Sequence, residues 1–242
     1  MAEFAVGCEM ADEQDPSPEQ IGLYSDTSQE LFRKLRKATE PAAVLEALRW
    51  GMSELDRTFN ATSDKVRARV ACRPGCDFCC RVPMGVQAHE VFLVAEYIRA
   101  HFSPEEQAGV VARTAAHRER VAALQPSDYG QLFEACALLK DGRCTVYKAR
   151  PEVCRAHHSS NAQVCADYLQ DQSVDLDKAY IPPLRGRMFA VMLGIDQGFA
   201  EAEFDANSYD FGSALHEALT NDLSPVRWAQ KKPAFPESCL EP

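Results

Sequence analysis

The chain has 242 residues, enough to bury a core without covalent staples, and its 26 basic and 36 acidic side chains leave a formal net charge of -10. That charge repels a phosphate backbone over most of the surface and argues against nucleic acid as a general partner. No stretch approaches the roughly 18 to 20 apolar residues of a spanning helix. Residues 1–18 carry five acids and no Lys or Arg, unlike a secretory signal, so the expected chain is cytoplasmic and has no membrane partner.

In chain order, residues 1–26 are acidic, contain Pro16 and Pro18 and show no sustained apolar period, which predicts a disordered leader. Helical spacing starts at Thr27, with Leu31, Phe32 and Leu35. A second helix after Pro41 carries Val44, Leu45, Leu48, Met52, Leu55 and Phe59, and the two read as a packed pair. Cys72 to Cys80 is turn chemistry. Beyond Pro83, a helix carries Val91, Phe92, Ala95, Ile98 and Phe102. Ser103, Pro104 and Glu106 then form the N-cap, first position and capping box of another helix, which runs to about Leu124. Residues 136–165 are irregular, with a turn at Asp141-Gly142 and the best strand candidate at Cys144–Tyr147. From Ile181 a long helix carries Leu184, Met188, Val191, Ile195 and Phe199. A shorter one holds Phe211, Leu215, Ala218 and Leu219, and residues 224–242 read as a tail.

Ten cysteines in a reducing compartment are available as metal ligands or catalysts rather than as disulfides. Eight form two groups: Cys72, Cys76, Cys79 and Cys80, then Cys136, Cys144, Cys154 and Cys165. The two-residue gap between Cys76 and Cys79 lets both sulfurs of one tight turn face an ion, and Gly75 helps that turn. Adjacent Cys79 and Cys80 are expected to diverge and so to serve two metals or a cluster. Residues 65–82 sum to +4 and residues 140–155 to +3, local reversals in an acidic chain that are expected to lower thiol pKa and offset a metal-thiolate centre.

Blander readings stand beside these. A free cysteine is often a small buried hydrophobe, the expectation for Cys8 and Cys239. Paired His157 and His158 on a polar stretch read as solvated, although His157 could stand beside the centre. His89 reads as an ordinary surface or core histidine. Tyr147, Arg150 and Arg155 are candidates to sit behind the ligands or bind a substrate anion, with a purely structural role for the two arginines as the alternative.

The compound pattern of Cys72–Cys80, then Cys136, the run from Cys144 through Arg150-Pro151-Glu152-Val153-Cys154-Arg155, and Cys165 resembles the YkgJ-type cysteine-cluster family, a zinc- or iron-chelating domain. The likeness covers roughly residues 70–168. Three residues separate Cys72 from Cys76 where the family pattern has two, so the resemblance places Cys72 less firmly than the other seven. A similar module occurs in bacterial flagellin lysine methylases, which are associated with an iron-sulfur cluster. The resemblance implies metal binding, by zinc or by iron and with a [4Fe-4S] cluster among the forms compatible with thiolates, and it implies no particular reaction.

The expectation is therefore a mainly α protein with little or no sheet. Its single helical domain, residues 27–223, clasps irregular cysteine-rich loops at 70–168 that hold a multinuclear centre or two ions. The alternatives are an iron-sulfur oxidoreductase or protein-modifying enzyme, and a zinc-organised scaffold that docks a protein partner.

Overall fold

The computed structural model describes residues 15–38 and 40–242. The start of the expected leader, with Cys8, lies outside the described residues. The rest of that leader is helical: α1 spans Pro18–Leu35 and so begins before Thr27. Its signal is local. The Ser17 hydroxyl accepts the Gln20 N–H, the Gln20 side chain accepts the Ser17 N–H, and Pro18 takes the first position, where a missing N–H costs nothing. The apolar stripe begins only where α1 starts to bury Thr27, Ser28, Leu31 and Leu35.

Helix α2 spans Pro41–Ala61, followed by a single turn α3 at Asp64–Arg67. Helices α4 (Ala88–His101) and α5 (Pro104–Ala122) stand where the apolar spacing and the Ser103 capping box place them. Short α6 (Glu152–Ala156) and α7 (Ala162–Tyr168) follow, then α8 (Pro182–Glu201), α9 (Phe211–Thr220) and α10 (Ser224–Ala229). The architecture is mainly α. Sheet is confined, among the described residues, to two antiparallel pairs: β1 (Gly85–Val86) with β4 (Tyr209–Asp210), and β2 (Leu139–Lys140) with β3 (Arg143–Cys144). No helix among the described residues is long and apolar enough to cross a membrane.

Helix α8 is central, packing against α1, α2 and α6, while α9 packs between α4 and α5. The chief partner of α1 is therefore α8 rather than α2. Glycines allow that approach: a Cβ at Gly194 would meet the Tyr24 carbonyl at 2.8 Å, and one at Gly198 would meet Leu31 Cβ at 2.9 Å.

Residues 224–242 are not a loose tail. Trp228 is fully buried against Phe92, Phe199 and Phe204, Phe235 packs on Phe92 and Tyr209, and Leu240 bridges to Tyr209. Cys239 is buried in the same core, as its reading as a small hydrophobe predicts. The strand expected at 144–147 is shorter and displaced. Asp141 and Gly142 both take positive φ, 51° and 69°, as the two central residues of a tight hairpin turn require, so pairing is used up at β2 and β3. Tyr147–Ala149 then winds into a 3-10 turn.

Candidate metal centre

The first cysteine loop is shaped by Pro74 and Gly75. The Cys76 N–H donates to the Arg73 carbonyl over 2.9 Å, and Gly75 sits at φ 92°, which only glycine takes without strain. A 3-10 turn over Phe78–Arg81 then carries Cys79 and Cys80. The second region is fastened to this loop by backbone. The Cys136 N–H donates to the Cys80 carbonyl at 2.8 Å, the Ala71 N–H donates to the Ser159 carbonyl at 2.8 Å, and the β2–β3 turn at Gly142 rests on Gly75. Helix α7 brings Cys165 against the 3-10 turn, and α6 brings Cys154, whose thiol lies 3.4 Å from the Met84 sulfur. Met84 carries no sequence signal: one methionine outside any motif becomes a neighbour of the centre only through folding.

Cys79 stands between two groups of thiols: Cys72 feels the charges of Cys76, Cys79 and Cys165, and Cys154 those of Cys136, Cys144 and Cys79. Cys79 and Cys80 both stand on the tight 3-10 turn over Phe78–Arg81, whose winding rather than the alternation of an extended chain sets their directions. None of these eight cysteines forms a disulfide. Among the described residues, no three cysteine sulfurs come within 4.8 Å of one another, whereas a single tetrahedral zinc shell of thiolates needs separations of about 3.8 Å.

At Cys72, Cys76, Cys79, Cys136, Cys144 and Cys154 the direction is opposite to the expected depression of thiol pKa. Burial pushes Cys72, Cys76, Cys144 and Cys154 up and Cys136 to about 11, while neighbouring thiols add to the rise at each. Cys79 is raised first by its contact with Cys80 and then by burial. Two of the local arginines are bonded elsewhere. Arg81 pairs with Asp77 at 2.7 Å, and buried Arg155 pairs with Asp56 at 2.9 Å and donates to the carbonyls of Arg150 and Lys148. All three guanidinium nitrogens of Arg155 are thus hydrogen-bonded within the protein. Arg150 lies over the exposed Tyr147 ring at 3.9 Å and donates to the carbonyls of Tyr147 and Cys154. The paired histidines are packed rather than solvated: His157 meets Tyr180 edge-on at 5.5 Å and His158 stacks on Phe59 at 4.6 Å.

A cavity of about 310 Å³ borders Cys79, Cys80, Cys136, Cys144 and Cys154 on one side and Arg113, His117, Arg150 and Asp210 on the other. A second, of about 200 Å³, lies among Cys79, Cys154, Cys165 and His157. His117 and Asp210 went unmarked in the sequence because their pairing joins α5 to the start of α9. Of the two places expected for His89, surface or core, the structure gives the core: it is fully buried against Glu152. Its signal was a His89-Glu90 pair directly before the apolar run Val91–Ala95.

The donor set fits zinc or iron, since thiolates are soft ligands that suit both. Residues 71–174 match the CxxCxxCC family, described as "Putative zinc- or iron-chelating domain". That segment contains all eight cysteines. No curated protein and no solved structure matches the chain.

Proposed function

We propose that the CxxCxxCC domain at residues 71–174 holds a polynuclear metal-thiolate centre, either one cluster or two ions, through Cys72, Cys76, Cys79, Cys80, Cys136, Cys144, Cys154 and Cys165. The observation that carries this reading is the meeting of two distant cysteine segments as free thiols in two sets that share Cys79. Cysteine binds metal as thiolate, so metal must displace the thiol protons and supplies positive charge among the buried sulfurs.

Anaerobic purification tests this directly. Iron with acid-labile sulfide and a brown colour is the cluster outcome, and zinc at about two ions per chain in a colourless protein is the two-ion outcome. Protein that carries neither metal while its thiols titrate freely refutes the reading.

The cavity beside the thiols favours a second reading: an enzyme in which a substrate held against Arg113, Arg150 and His117 reaches the centre. An open coordination position would then face the cavity, and a small external ligand such as cyanide would change the spectrum of the loaded centre. A closed sulfur shell would leave it unchanged.

A further inference from the structure

Glu152, two residues before Cys154 on α6, belongs to a cluster that contains no cysteine. His89 on α4, Glu152 on α6 and Asp196 on α8 bring one nitrogen and two carboxylate oxygens within 4.8 Å of one another. His89 Nε2 is 2.9 Å from Glu152 Oε1 and 3.9 Å from Asp196 Oδ1. Ligands about 2.1 Å from a shared ion stand about 3.0 Å apart at an octahedral corner and about 3.4 Å apart in a tetrahedron, so the observed separations bracket both geometries.

The cluster is built rather than incidental. The His89 ring stacks flat on Phe199 at 4.0 Å, which sets its plane. Glu90 uses one oxygen to accept the Gln87 N–H and the other to accept the Glu152 N–H at 2.8 Å, so it fixes the first turn of α6 and has no oxygen left over. Glu152, only 2% exposed, keeps its second oxygen without a protein partner, as does Nδ1 of the fully buried His89. A carboxylate oxygen left so in a core is costly unless something positive meets it. The nearest guanidinium on the same helix, that of Arg155, is turned to Asp56. Asp196, with 29% of its side chain exposed, leaves a route from solvent.

We propose that His89, Glu152 and Asp196 form a second metal site, separate from the thiols, for one divalent first-row cation such as Mn2+, Fe2+ or Zn2+, held by one imidazole and two carboxylates. Asp196 lies at its open side, where a further ligand from solvent completes the shell. Helix α6 thus carries a soft donor, Cys154, toward one centre and a hard donor, Glu152, toward another.

Mn2+ is the probe, because it prefers oxygen and nitrogen donors and is a poor match for thiolates, so the result does not depend on how the cysteine centre turns out. Full-length protein is titrated with Mn2+ and followed by electron paramagnetic resonance. The expected result is one tight ion per chain with a directly bound imidazole nitrogen in its pulsed spectrum. Asp196→Asn should weaken that binding by at least about tenfold, the loss typical of even an outer-shell partner, while Asp175→Asn at an exposed position leaves it unchanged. Absence of a tight ion, absence of the nitrogen coupling, or equal binding by folded Asp196→Asn protein overturns the proposal. Should that variant fail to fold, the nitrogen coupling in the unaltered protein decides alone.

Discussion

The backbone N–H of Cys136 donates to the carbonyl of Cys80 across 2.8 Å, tying together two cysteine segments that lie more than fifty residues apart. The bond belongs to main chain, so the two loops meet through peptide groups as well as through any shared metal. Cys79, next to that carbonyl, belongs to both thiol sets. Cys76→Ser and Cys136→Ser should each remove about half of the bound metal if the sets are separate, and Cys79→Ser should remove more than either. Elemental analysis of the three purified variants checks the order; equal losses in all three would mean a single indivisible centre.

His117 stands between two carboxylates, with Nε2 2.9 Å from Asp210 Oδ2 and Nδ1 on Glu134. Burial alone would lower its pKa, but the hydrogen bonds and charges of Asp210 and Glu134 together lift it above the ordinary value. A raised folded-state pKa makes this pairing fully stabilising below about pH 6.5, and the contribution fades as pH rises through the raised value. His117→Gln should therefore cost about 1.5 to 3 kcal/mol in mildly acidic buffer and less in alkaline buffer, as read from urea midpoints.

The contact of α1 with α8 depends on missing side chains. At Gly198 a Cβ would stand 2.9 Å from Leu31 Cβ and 3.1 Å from the Ser28 carbonyl. Gly198→Ala should destabilise the protein by about 1 to 3 kcal/mol despite alanine's better helix propensity, because both obstacles are fixed by their own helix. Denaturant melts would show it, and a stabilised variant would mean that α1 is free to move off.

Trp228 is fully buried among Phe92, Phe199 and Phe204. Trp228→Ala should cost about 3 to 5 kcal/mol, and a chain stopped after residue 223 should lose solubility because the same aromatic surface would be uncovered. Comparison of soluble yield and thermal midpoint with the full chain tests both.

By itself the sequence determined the helices with strong apolar period or explicit caps, from Pro41 onward through α4, α5, α8 and α9, because those signals are local. It also determined the clustering of eight cysteines, since spacing within a tight turn is a local property too. It did not determine α1 before Thr27, where the exposed face has no apolar stripe, or the burial of Trp228, whose surroundings come from other helices. Only the tertiary structure decided that Arg81 turns to Asp77, Arg155 to Asp56 and Arg150 to backbone carbonyls, and that burial is the largest influence on Cys72, Cys76, Cys136, Cys144 and Cys154. It alone gathered His89, Glu152 and Asp196 as well. Charge counted along a chain is blind to direction and burial, and both are settled by packing between segments distant in sequence.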